Sequence, residues 1–175
     1  MYTVLDLFSG CGGLSLGFEQ AGFRIMLGVD NWQDSLDTFK LNHKSSQTYC
    51  TNLTGLNYDL IEKNYLNEGV DVIVGGPPCQ GFSISGKRDP KDPRNSLYQS
   101  FVSAVKHFRP KVFLMENVPN LASMQNGKVR MGIVNEFESL GYYTYSNTLL
   151  ASNYGVPQNR KRFFLAGFAE NVLFA

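Results

Sequence analysis

The sequence predicts an α/β domain, a mostly parallel sheet of seven strands with helices on both faces, and three observations carry that prediction. A short apolar run, Tyr2 to Phe8, feeds Ser9-Gly10-Cys11-Gly12-Gly13 and then a helical stretch, which is the strand, glycine turn, helix unit of a nucleotide-binding α/β fold. Val72-Ile73-Val74 has the β-branched density of a strand buried on both faces. Runs of this kind alternate with helical patterns along the chain, the order that builds parallel sheets.

Taken in order, Leu14 to Ala21 is the first helix, closed by Gly22, and Arg24 to Val29 is the second strand, ending at Asp30. Gln33 to Asn42 is helical, with His43 at its end as a partner for the helix dipole. Thr48 to Cys50 is a short third strand, and residues 56–68 are helical. Val70 to Val74 is the fourth strand, stopped by Gly75-Gly76-Pro77-Pro78, because glycine supplies unusual backbone angles and proline removes a ladder donor. Cys79 therefore stands on a stiff turn beyond a strand's carboxyl end, where open α/β sheets bind ligands. Residues 80–96 are too rich in Gly, Pro and charge for regular structure, and loops of that length in compact domains are functional lids or disordered. A helix then runs to Phe108, and Lys111 to Met115 is a buried strand that delivers Glu116-Asn117 to the same sheet edge as Cys79. Val129 to Leu140 is helical, and Tyr142 to Leu150 and Arg162 to Phe168 are the last two strands.

At 175 residues, without internal repeats or a low-complexity linker, residues 1–175 are expected to form one catalytic and cofactor-binding core. No apolar stretch reaches membrane-spanning length and no signal peptide is apparent, so a cytoplasmic protein with no membrane partner is expected. Cys11, Cys50 and Cys79 are odd in number and include no Cys-x-x-Cys pair, which argues against a zinc site or a disulfide framework and leaves no metal expected. The formal net charge of +1 does not by itself point to a polyanion. Local charge does more: Lys87, Arg88, Lys91 and Arg94 crowd the loop after the cysteine, and Arg160-Lys161-Arg162 forms a second basic cluster.

Pro77-Pro78-Cys79-Gln80-Gly81-Phe82-Ser83 resembles the catalytic signature of the cytosine-5 DNA methyltransferases, which move a methyl group from S-adenosylmethionine to carbon 5 of cytosine. Three further motifs follow the family's pattern and order: Asp6-Leu7-Phe8-Ser9-Gly10-Cys11-Gly12-Gly13-Leu14, Glu116-Asn117-Val118, and Gln158-x-Arg160-x-Arg162. The likeness runs from Asp6 to Phe168. It implies a Rossmann-like S-adenosylmethionine-dependent methyltransferase fold, with S-adenosylhomocysteine as the cofactor product. A dinucleotide dehydrogenase is disfavoured, since Ser15 stands where the third glycine of that fingerprint would fall.

The resemblance also assigns roles. Residues Phe8 through Leu14 would wrap the methionine part of the cofactor, while Pro78 and Leu97 would line its pocket. Asp30, shorter than the family's glutamate, would accept two hydrogen bonds from the ribose, or else cap the following helix. Asn31 adjoins it, and Trp32 would wall in the adenine, or else pack in the core. Asn52-Leu53 matches the adenine-contacting region; Asn52 stands for an aspartate there and can still accept through its carbonyl oxygen. Cys79 as thiolate would add to carbon 6 of cytosine and make carbon 5 nucleophilic. Glu116, partly desolvated after four apolar residues and so favouring its protonated form, would donate to ring N3. Arg162 would bind the base carbonyl, and Arg160 would steady phosphate or the closed loop. Gln80, Gly81, Ser83, Lys87, Arg88, Asn117 and Gln158 would meet a base flipped out of double-stranded DNA.

Family members continue into a target-recognition domain and a final conserved segment, and neither is matched within residues 1–175, so a further segment or second chain is expected to read the target. The motifs leave open an RNA cytosine-5 methyltransferase on the same scaffold and a non-catalytic cofactor-binding subunit.

Overall fold

A computed structural model describes residues 1–78 and 96–173. Seven strands form one sheet in the order β3-β2-β1-β4-β5-β7-β6. They are β1 (Thr3–Leu7), β2 (Arg24–Asp30), β3 (Gln47–Cys50), β4 (Val72–Gly75), β5 (Val112–Asn117), β6 (Tyr142–Leu150) and β7 (Lys161–Ala169). The helices between them are α1 (Gly13–Gln20), α2 (Gln33–Asn42), α3 (Tyr58–Tyr65), α4 (Ser96–Phe108), α5 (Asn120–Ser123), α6 (Lys128–Ser139) and α7 (Glu170–Leu173).

All seven strands stand where the sequence places them. Helix α3 is shorter than the 56–68 expected, because Asn57 begins it by accepting the Leu60 N–H and the chain turns after Leu66 to a left-handed Gly69. The single-turn helices α5 and α7 and a 3-10 turn at Ala151–Tyr154 were not anticipated, since four residues are too few to show a helical period.

Both faces of the sheet are covered. On one, Leu5, Leu7, Ile73, Phe113 and Met115 pack against Ile61 of α3, Phe101 of α4 and Phe137 of α6 in a single buried cluster. On the other, Val4, Ile25, Val72 and Val74 meet Phe39 of α2 and the partly buried Leu14 and Phe18 of α1. Burial of this kind removes apolar surface from water and supplies most of the drive to fold.

Two topological features position the site. Strand order reverses at β1 and β4, which pair in parallel with Leu7 opposite Gly75, so the chain leaves both strands side by side at their carboxyl ends. This is the crevice where open α/β sheets hold ligands. In addition, β7 runs antiparallel between β5 and β6, with Glu116 opposite Phe164 and Asn117 opposite Phe163. The start of β7 therefore lies beside the end of β5, and the basic cluster enters the same edge.

Candidate functional site

The Ser9–Gly13 turn is shaped by its neighbours. Gly10 and Gly12 have left-handed backbone angles (φ 51° and 89°), and Gly12 opens α1. Asp30, at the end of β2, holds the turn from one side: its Oδ2 accepts the Gly10 N–H at 2.9 Å and its Oδ1 accepts the Trp32 N–H at 3.0 Å. Asp30 is thus not the cap of α2; that position belongs to Trp32, which makes no side-chain capping bond. A carboxylate can accept about four hydrogen bonds, so both oxygens keep capacity for a ribose diol. Trp32 is 65 % exposed, which removes the core-packing alternative.

A cavity of about 420 Å³ lies between this turn and the ends of β4, β5 and β7. Phe8, Ser9, Gly13 and Leu14 line it from one side and Glu116 and Arg160 from the other, so residues assigned to cofactor and to catalysis share one space. Gly76 and Phe164, singled out by no motif reading, also line it. Gly76 is glycine for room: a Cβ there would meet Glu116 Oε2 at 3.1 Å.

Glu116 and Arg162 are partners. Arg162 Nε meets Glu116 Oε1 at 2.7 Å, and each side chain is 24 % exposed. Glu116, expected to be partly desolvated after four apolar residues, meets a guanidinium that antiparallel β7 brings to it. Asn117, expected to meet the base, has partners within the fold. It is buried, its Nδ2 donates to the Pro77 carbonyl at 2.8 Å, and its Oδ1 accepts the Val118 N–H at 2.9 Å. These bonds tie the end of β5 to the turn before Cys79, so the side chain serves that turn's shape.

Asn52 spends its oxygen locally, accepting from Thr54 N at 3.0 Å and Thr54 Oγ1 at 2.8 Å, which fills the acceptor role expected of it toward adenine. Leu53 is buried in the core cluster. Cys11 and Asn31 are exposed, Pro78 is exposed beyond β4, and Leu97 is half-buried in the first turn of α4. Gln158 is exposed and is absent from the cavity lining. Cys79, Gln80, Gly81, Ser83, Lys87 and Arg88 lie outside the described residues.

Two groups carry more than the sequence reading gave them. Asp6, which stood in the first motif without a role of its own, is 1 % exposed and lines the cavity; its Oδ2 accepts the Ser15 hydroxyl at 2.6 Å and its Oδ1 has no partner among the described residues. Burial pushes its carboxyl up to about 7, against the opposing pull of Ser15. An acid at the end of a predicted buried strand was the available signal. His43 is the second: it ends α2, where it was read as a partner for the helix dipole, and its buried ring also contacts Glu19 and Gly12. Among the described residues, no helix is long and apolar enough to cross a membrane. Asp59, Glu62 and His107 come within 4.8 Å of one another, but all three are exposed and nothing further marks them as a cation site.

A mostly parallel, doubly covered sheet, a glycine turn at its switch point and a polar cavity beside that turn define a Rossmann-like protein of the methyltransferase class. The chain belongs to the C-5 cytosine-specific DNA methylase family, whose sequence model matches residues 2–173. It is 44 % identical over 168 residues to the Type II methyltransferase M1.HphI of Haemophilus parahaemolyticus, covering 94 % of this chain and 45 % of that protein. It is 43 % identical over 168 residues to the Type II methyltransferase M.DdeI of Desulfomicrobium norvegicum, covering 94 % of this chain and 40 % of the relative. Among solved structures, an E. coli prophage-encoded protein described as a DNA modification methyltransferase superposes with a TM-score of 0.84 at 35 % identity, over 99 % of this chain and 48 % of the other. The chain thus spans about half the length of the relatives it matches.

Proposed function

We propose that this chain carries the catalytic core of a DNA cytosine-5 methyltransferase of the Type II modification class, with S-adenosylmethionine as its methyl donor and double-stranded DNA as its substrate. The observation that supports this best is convergence: the glycine turn, Glu116 and Arg160 face one cavity at the switch point, and Pro78 leads directly into Cys79.

The cavity fits an adenosyl amino-acid cofactor. Two buried polar atoms beside the glycine turn, Asp6 Oδ1 and Ser9 Oγ, have no partner among the described residues, and unpaired buried polar atoms are costly unless a ligand meets them. Gly10 and Gly13 have open space where a Cβ would stand, which lets a ligand approach the backbone. Asp6, Phe8, Ser9 and Leu14 would hold the amino-acid end, and Asp30 the ribose. When bound, S-adenosylmethionine supplies an electrophilic methyl group.

The chain's own residues do the rest. Cys79 as thiolate adds to carbon 6 of cytosine, forming the S–C6 bond and moving the C5–C6 electron pair toward carbon 5. Glu116, in its acid form, gives a proton to N3 as charge builds there, help worth about 10²- to 10⁴-fold. Arg162, already against that carboxyl group, offers a guanidinium to the carbonyl oxygen of the base. Carbon 5 would then take the methyl group, with S-adenosylhomocysteine as the leaving group; N3 returns its proton to Glu116, a base removes the carbon 5 proton, and that C–H pair restores the C5–C6 double bond as the S–C6 bond breaks and frees Cys79 as thiolate.

The test is transfer of labelled methyl from S-adenosylmethionine to mixed-sequence duplex DNA, with tRNA in parallel and Cys79→Ser as control. Transfer to DNA that disappears in the control is the expected result. Transfer to tRNA alone, or transfer that survives Cys79→Ser, would overturn the reading.

A further inference from the structure

We propose that His43, oriented by Glu19, is a positioning residue that sets the shape of the glycine turn and thereby the affinity for the cofactor; this rests on the cofactor assignment above. His43 ends α2 and is 1 % exposed, with its ring against Phe39 at a centroid separation of 4.4 Å. A polar ring buried this fully has to satisfy its nitrogens within the protein. Nε2 lies 3.1 Å from the Gly12 carbonyl oxygen and Nδ1 lies 2.8 Å from Glu19 Oε2. A carbonyl oxygen and a carboxylate both only accept, so the two contacts are hydrogen bonds together when both ring nitrogens carry a proton. The Glu19 contact is then charge-assisted, and it fixes the ring that faces Gly12.

The fit at Gly12 is close. A Cβ on that residue would fall 2.2 Å from His43 Nε2, so the left-handed turn and the ring exclude any side chain between them. The Gly12 carbonyl also accepts the Leu16 N–H at 2.9 Å, the bond that starts α1. Asn42 Nδ2 approaches the Cys11 carbonyl at 3.5 Å. Before α2, Asp30 takes the Gly10 N–H. The end of β2 and the far end of α2 therefore grip three consecutive residues of the turn, and His43 is the grip on the helix side. His43 stands outside the cavity lining, so its effect on a ligand passes through the turn. A turn held in its bound shape spares the ligand the entropy of ordering it.

The experiment measures S-adenosylhomocysteine affinity by calorimetry for the unsubstituted chain, His43→Phe, Glu19→Ala, Glu19→Gln and the His43→Phe/Glu19→Ala pair, each well below its own unfolding temperature. His43→Phe keeps a ring but loses both hydrogen bonds, and a Kd about tenfold weaker is expected. Glu19→Ala should weaken binding by a smaller factor, Glu19→Gln should recover part of it, and the pair should bind no worse than His43→Phe alone. Should His43→Phe not fold, the two Glu19 variants carry the test, since that side chain is partly exposed. Variants that unfold at lower temperature yet bind with unchanged Kd would overturn the proposal and leave His43 a core residue. No binding by the unsubstituted chain would instead refute the cofactor assignment.

Discussion

Replacing Asp6 by Asn should change how this protein's stability depends on pH. Asp6 is buried under the cavity, with Ser15 as its hydrogen-bond donor and with His43 and Asp30 close enough to act on it electrostatically. Burial raises its carboxyl from the ordinary 3.8 to about 7, so the folded protein holds this proton more tightly than the unfolded chain does. The cost to folding is absent below 3.8, grows as pH rises, and is complete above about 7, where it reaches roughly 4 kcal/mol. Between about pH 5 and about pH 8 the change is roughly 3 kcal/mol. Asparagine is uncharged throughout and keeps an oxygen for Ser15. Urea unfolding of both proteins across that range should therefore show the variant gaining on the parent by roughly 3 kcal/mol as pH rises. A difference that stays flat, or that shrinks with rising pH, would refute the argument from burial.

Glu116→Gln should lower methyl transfer by about 10²- to 10⁴-fold, measured by single-turnover kinetics, while S-adenosylhomocysteine affinity stays near that of the parent. Asn117→Ala strands the Pro77 carbonyl and the Val118 N–H, so a loss of about 1–3 kcal/mol in chemical denaturation is expected, with slower transfer as the turn before Cys79 loosens. Gly167→Ala places a methyl 2.0 Å from Phe113 Cε1 in the centre of the sheet, and a lower unfolding temperature with a cost of about 1–3 kcal/mol should follow.

What the sequence by itself determined is everything carried by short-range order. Apolar runs of strand length located central strands such as β1 and β4, because a strand buried on both faces has no polar position to spare, while alternation located β6 at the sheet's edge. Gly10, Gly12 and Gly13 marked the turn after β1, because glycine readily takes the left-handed backbone angles that Gly10 and Gly12 adopt there. The four motifs named the family without any coordinates, and Asp30 was correctly placed at the end of its strand. The tertiary structure alone decided what depends on residues distant in the chain. Periodicity carries no record of which strand pairs with which, so only the fold shows β7 running antiparallel beside β5 and turning Glu116 and Arg162 into an ion pair. For the same reason Asn117 is a brace for the Pro77 turn, Asp6 is a buried acid beneath the cavity, and His43 grips Gly12 across 31 residues of chain. Each of these is a contact across the core, and such contacts follow from how α2 and β7 pack on the sheet, which no local pattern of residues encodes.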